Sequence, residues 1–111
     1  MFDYASDDSY REPLPGIRQK TLVWGAKTLM TEFRLKKGAS LPQHSHPHEQ
    51  TGYLVRGSMT LHIGDETSRL SPGDSWNIPS NVPHRAEIHE DSVAIEIFYP
   101  VREEYLPGKA S

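Results

Sequence analysis

From Thr21 to Tyr99 the chain is a series of short apolar or alternating runs, each stopped within a few residues by glycine, proline or an Asn/Asp turn. That punctuation suits strands and excludes long helices, which need an uninterrupted 3.6-residue repeat over several turns. The first runs are Thr21 to Gly25 and Thr28 to Leu35. In the second, Leu29, Thr31, Phe33 and Leu35 oppose Met30, Glu32, Arg34 and Lys36, so one face is buried. After Lys37-Gly38 come Leu41 to His46, Gln50 to Arg56 and Ser58 to Ile63, the last with Met59, Leu61 and Ile63 on one face. Gly64-Asp65 sits at a hairpin before Glu66 to Leu70. Ser71-Pro72-Gly73-Asp74 is a turn in which proline presets φ and glycine accepts a positive φ. Ser75 to Ile78, Pro83 to Ile88 and Ser92 to Tyr99 complete the series, separated by Pro79-Ser80-Asn81 and Glu90-Asp91. Regular short strands with this spacing predict an all-β sandwich or barrel.

The length of 111 residues suits one domain with a modest core, which association with a second copy would help to bury. We divide it into an N-terminal arm (1–16), a barrel (17–101) and a C-terminal tail (102–111) in which Arg102 to Leu106 can make a helical turn. The arm has no period, and its Phe2, Tyr4 or Tyr10 is expected to cover a neighbour. In the last strand, Val93, Ile95, Ile97 and Tyr99 share one face and Ala94, Glu96 and Phe98 the other, so neither is plainly solvated. One face is expected to pack on a core or a second subunit, hence a homodimer, and the other to line an interior that tolerates a carboxylate. A formal charge of −3 offers no basic patch to track phosphates, so no nucleic-acid partner is expected. No apolar run approaches membrane-spanning length, and no membrane role is expected. The first sixteen residues lack a basic region followed by an apolar one, and the expected location is cytoplasmic. With no cysteine, metal-binding chemistry falls to imidazole and oxygen.

Those groups are concentrated in His44-Ser45-His46-Pro47-His48-Glu49-Gln50. On an extended strand, His44 and His46 stand two apart and project from one face, so one cation can take both. Pro47 turns the chain, and Gln50 follows on a new strand with an amide oxygen that can bind a metal or a metal-bound water. His84, on a later strand, offers a further imidazole. His48 is read as a rim residue, Glu49 as exposed, and His62 and His89 as ordinary hydrogen-bonded surface residues. Trp76, Tyr53 and Met30 are read as core or barrel wall.

The spacing of Gly38, His44, His46, Gln50 and Gly57 resembles the first cupin motif, and Gly73, Pro79, Asn81 and His84 resemble the second. The resemblance spans Thr21 to Tyr99 and implies a single-domain cupin, a double-stranded β-helix or jelly-roll barrel. Cupins usually carry Glu where Gln50 stands, glycine in place of Asn81 and asparagine in place of Ile88. A neutral amide leaves a bound divalent ion its full charge, which favours polarising chemistry over oxygen activation. Asn81 tolerates the left-handed region best after glycine.

The histidine segment with Gly52-Tyr53 is also similar to the small cupins of the KdgF family, which open 4,5-unsaturated uronates to linear keto sugar acids. That resemblance implies one divalent ion (Ni, Mn, Fe, Co or Zn) held by His44, His46, Gln50 and His84. It also implies that Glu96 and Arg102 are catalytic, with Phe98 and Arg102 binding substrate, because Glu96, Phe98, Pro100 and Arg102 keep the family's intervals. The family's acid is aspartate, so Glu96 moves the carboxylate by one methylene. Read without the resemblance, Arg102 is either a clamp for a carboxylate or a tail charge paired with Glu103 or Glu104. The expected function is therefore metal-dependent ring opening of a carboxylated sugar. The alternatives are a cupin dioxygenase and a non-catalytic small-ligand-binding cupin.

Overall fold

The computed structural model describes residues 1–108. Its strands are β1 (Arg11–Leu14), β2 (Ile17–Trp24), β3 (Leu29–Leu35), β4 (Ser40–His44), β5 (Glu49–Ile63), β6 (Glu66–Leu70), β7 (Ser75–Ile78) and β8 (His84–Tyr99), and a 3-10 turn, Glu103–Tyr105, follows. All pairings are antiparallel, and the sheet runs β1-β2-β3-β8-β5-β6, with β4 also on β8 and β7 also on β5. The N-terminal half of β5 pairs with β7 and with the end of β8, which in turn pairs with β3. The C-terminal half of β5 pairs with β6 and with the start of β8, which pairs with β4. Two layers therefore share the same two long strands. Their inner faces meet in a core of Leu54, Met59, Leu61, Leu70, Ala86, Ile88 and Ala94. The jelly-roll architecture is the expected one.

Two pairs of expected strands are fused. Gln50 to Arg56 and Ser58 to Ile63 are one strand, β5, as are Pro83 to Ile88 and Ser92 to Tyr99, β8. The interruptions at Gly57 and Glu90-Asp91 are not chain reversals. The β5–β8 register shifts repeatedly between Leu54 and Met59, which bends the ribbon from one layer into the other without ending it. Gly57 makes the bend possible. Its φ is 104°, and a Cβ there would fall 2.0 Å from Ser92 Oγ and 2.5 Å from Ser92 Cα. Ser92 Oγ accepts from Ser58 N at 3.1 Å and donates to Glu90 O at 2.7 Å, which closes the backbone groups that the bulge leaves unpaired.

The arm is partly built into the sheet, since Arg11–Leu14 pair with β2. Tyr10 packs on its own chain: the guanidinium groups of Arg18 and Arg34 lie 4.7 and 4.5 Å from its ring centroid, and its hydroxyl donates to Glu32. Phe2 and Tyr4 stay exposed. The helical turn expected at Arg102 to Leu106 is the 3-10 turn, and the last residues of the tail, 109–111, lie outside the described residues.

Candidate metal centre

The site sits at one end of the barrel, where β4 stops and β8 starts in one layer and β5 starts in the other. His44 is the last residue of β4 and pairs in register with His84, the first of β8. His46 departs from the expected geometry. The strand ends at His44, so the two histidines do not project from one strand face, and His46 is delivered by the turn before β5. Asn81, in the left-handed region at φ 64°, donates its N–H to His46 O at 2.8 Å and straps this turn to the loop before His84. The turn brings His46 back beside its neighbours. The metal-binding nitrogens of His44, His46 and His84 all lie within 4.8 Å of one another, and the three could hold a metal ion.

The hydrogen bonds set the tautomer of each ring. Nδ1 of His44 faces Pro42 O at 2.9 Å, Nδ1 of His46 faces His48 O at 3.0 Å, and Nδ1 of His84 faces Val82 O at 2.9 Å. A carbonyl only accepts, so each Nδ1 carries the proton and each Nε2 keeps a lone pair for a cation. His84 Nε2 is buried with no hydrogen-bond partner among the described residues. Burial holds the His84 imidazole down to about 4, and lowers His46 too, with help from the positive charge of Arg102. Both rings are neutral at pH 7.

Gln50 completes the cluster. Its Nε2 donates to Glu96 Oε1, so its Oε1 is the atom that faces His46 Nε2 at 3.0 Å. Neither of these atoms has a proton to give. Two acceptors at that separation suit a proton or a metal cation between them, and ligand atoms at right angles around an ion, each about 2.1 Å from it, lie roughly 3.0 Å apart. The lone pairs, the unpartnered His84 Nε2 and the nitrogen-plus-oxygen donor set all fit a divalent transition metal.

Around the histidines stand the remaining residues singled out from the sequence. Glu96 is buried, and burial raises its carboxyl above the ordinary value, while hydrogen bonds from Gln50 and Trp76 pull the other way. Phe98, 1% exposed, meets the His46 ring edge-on with centroids 5.8 Å apart. Arg102 lies over both Phe98 and Tyr105, 5.1 and 4.3 Å from their centroids, and its Nε is 3.4 Å from Glu104 Oε1. A cavity of about 70 Å³ touches His44, Gln50, His84, Glu96, Phe98 and Arg102.

Three aromatic residues add to the sequence reading. Trp76 packs against the core, yet its Nε1 donates to Glu96 Oε1 at 3.0 Å. Tyr105 lines the cavity, although a lone aromatic in an aperiodic tail carries no signal of that. Tyr53, 49% exposed on the outer face of β5, is barrel wall rather than core, the second of the two expected places. His48 supplies its carbonyl to His46, and Glu49 is exposed and accepts from Asn77. His62 bonds Thr67 and Glu87, and His89 bonds Thr60.

The fold and the histidine cluster define a small β-barrel with three histidines that could hold a metal ion. The cupin domain family matches residues 31–99, and the chain belongs to that family. Within it, the chain is similar to KdgF from Halomonas sp., at 30% identity and TM-score 0.89 over 96% of this chain and 100% of that one. An RmlC-like cupin from Shewanella frigidimarina superposes with TM-score 0.88 at 25% identity, covering 95% of each chain. Among curated proteins, the H2HPP isomerase of Bacillus subtilis is 31% identical over 85 residues, 74% of this chain. The chain spans 36% of the length of that relative.

Proposed function

We propose that this cupin is a metal-dependent enzyme that converts 4,5-unsaturated uronate monosaccharides to linear keto sugar acids. The observation that carries the reading is the meeting, in one cavity, of a cation-ready histidine cluster, a buried carboxyl at Glu96 and the guanidinium of Arg102. The similarity to KdgF over nearly the whole chain supports it, and the isomerase among the relatives supports proton-transfer chemistry. A divalent ion held by His44, His46, His84 and Gln50 would supply Lewis-acid polarisation of substrate oxygens.

The remaining work is done by this chain's own side chains. Substrate and product are isomers: the C1–ring-oxygen bond of the hemiacetal breaks, the C1 hydroxyl loses its proton, and C4 gains one as the enol becomes a ketone. Glu96 is the group that takes and returns the proton, since burial keeps its two protonation states closer in energy at neutral pH than an exposed carboxyl allows. Arg102, pinned over Phe98, binds the substrate carboxylate by paired N–H bonds. Phe98 and Tyr105 give the sugar ring apolar walls. The proposal includes a homodimer, supported by exposed Tyr53, Ile97 and Tyr99 on the outer face of β5 and β8.

Metal-loaded protein incubated with unsaturated galacturonate or mannuronate should accelerate the loss of the alkene's ultraviolet absorbance above the spontaneous rate. Failure with every common divalent ion would overturn the proposal.

A further inference from the structure

Glu96 receives both of its hydrogen bonds on one oxygen. Gln50 Nε2 and Trp76 Nε1 both donate to Oε1, and among the described residues no side chain donates to Oε2. Both donors reach Glu96 from the same inner face: Gly52 of β5 pairs with Glu96 of β8 on one side and with Trp76 of β7 on the other, and Gln50 stands two residues from Gly52 on β5. Gly52 is what lets the indole reach. A Cβ on Gly52 would lie 2.2 Å from the indole Cε2 and 2.3 Å from Nε1, so the ring occupies the space that any other residue would fill. Gly52 also pairs with Glu96 across β5 and β8.

We infer that Trp76, seated on Gly52, is the positioning residue of the metal centre, acting through Glu96 on Gln50. The indole N–H fixes Glu96 Oε1; Glu96 then accepts the amide N–H of Gln50 and so keeps the amide oxygen turned toward His46. Without that anchor the carboxylate swings, the amide of Gln50 is free to flip, and the cluster loses an oxygen ligand while keeping three imidazoles. The same clamp leaves Glu96 Oε2 as the oxygen available to a bound molecule. Hydrogen-bonded partners of this kind typically contribute 10- to 100-fold to metal affinity. The inference rests on the metal-centre part of the proposed function and is independent of the choice of substrate.

Cobalt titration of the metal-free protein, followed by the visible absorption of the bound ion, tests it without any turnover. Trp76→Phe removes the donor while keeping a smaller aromatic ring, and the comparison with the Gln50→Ala and Glu96→Ala backgrounds separates the lost bond from the lost volume. Trp76→Phe should weaken cobalt binding about tenfold and change the absorption envelope, as loss of an oxygen ligand requires. In Gln50→Ala or Glu96→Ala backgrounds the same substitution should have no further effect, because the path is already broken. Equal weakening in those backgrounds, or unchanged affinity in Trp76→Phe, would overturn the inference. Wild-type protein that binds no cobalt would overturn both this and the metal centre, whereas normal cobalt coupling with no action on uronates would overturn only the proposed reaction. A measurement on unmutated protein guards against a variant that fails to fold. The chain has two tryptophans, Trp24 half exposed and Trp76 half-buried, so their indole N–H signals are separable by nuclear magnetic resonance. The Trp76 N–H should exchange with solvent at least tenfold more slowly than that of Trp24 and lose that protection in Glu96→Ala. Equal exchange rates in wild type would refute the anchor.

Discussion

Substituting alanine at three glycines separates backbone strain from steric exclusion at the bend that makes this a two-layered barrel. At Gly25 φ is not in the left-handed region and, among the described residues, no atom lies within 4 Å of where a Cβ would stand, so Gly25→Ala should be neutral or stabilise by about 0.4–1 kcal/mol through the unfolded chain. Gly38 has φ 86° with equally open surroundings, so Gly38→Ala carries only the left-handed cost of about 1–2 kcal/mol. Gly57 adds contact to conformation. At φ 104°, its Cβ would sit 2.5 Å from Ser92 Cα, a backbone atom that no rotamer change can move away. Relief requires β5 and β8 to separate, which breaks the buried bond from Ser58 N to Ser92 Oγ at a further cost of about 1–3 kcal/mol. The sum for Gly57→Ala is roughly 2–5 kcal/mol, a large share of the 5–15 kcal/mol that typically holds a domain together.

Urea unfolding of the metal-free variants, followed by far-ultraviolet circular dichroism, gives the three values on one scale, and the melting temperature of Gly57→Ala should drop by about 8 °C or more. Ser92→Gly placed on Gly57→Ala removes the Oγ and Cβ obstructions and should recover part of the loss. The reasoning is refuted if Gly57→Ala costs no more than Gly38→Ala, since the bulge would then relax freely around a side chain.

Acid should destabilise the metal-free protein through His84. Its folded-state value of about 4 lies below the ordinary 6.5, so its contribution is fully present above 6.5 and is lost as the pH falls through 4; His46 acts in the same direction. The loss is on the order of 3 kcal/mol, visible as a falling urea midpoint between pH 7 and pH 4 that His84→Gln flattens. Glu96→Gln should lower kcat on unsaturated uronates about 100-fold or more while cobalt still binds, because the amide keeps an accepting oxygen but cannot carry the proton. Arg102→Ala should act chiefly on KM, and an unchanged KM would remove it as the carboxylate clamp. Ile97→Asp, on the outer face of β8, should convert a dimer to monomer by size-exclusion chromatography with light scattering, with the melting temperature lowered at low protein concentration.

Much of the architecture is local and therefore legible without coordinates. Alternation in Leu29 to Leu35 and Met59 to Ile63 marks the buried faces, and Ser71 and Asp74 close the turn drawn from Pro72-Gly73, with Asp74 N on Ser71 O at 3.0 Å. The candidate site is legible for a different reason. His44, His46, Gln50 and His84 stand in a spacing set by strand and turn lengths, and Asn81 adopts the left-handed conformation suited to its residue type.

Other features depend on long-range contact, and no window of sequence contains them. Gly57 looks like a strand terminator, and only Ser92, far along the chain, turns it into a bulge inside a continuous strand. His46 looks like a strand neighbour of His44, yet the strap from Asn81 holds it in a turn. Trp76 reads as core because its ring is apolar, and only the pairing of β5 with β7 and β8 brings its single polar atom onto Glu96. By itself the sequence determined the strand inventory, the turn chemistry and the identity of the metal-ready side chains, because these follow from periodicity and residue type over a few positions. The tertiary structure alone decided which oxygen of Glu96 is held, which way Gln50 points and which aromatic side chains wall the cavity, because each depends on side chains from distant strands meeting within hydrogen-bond or packing distance.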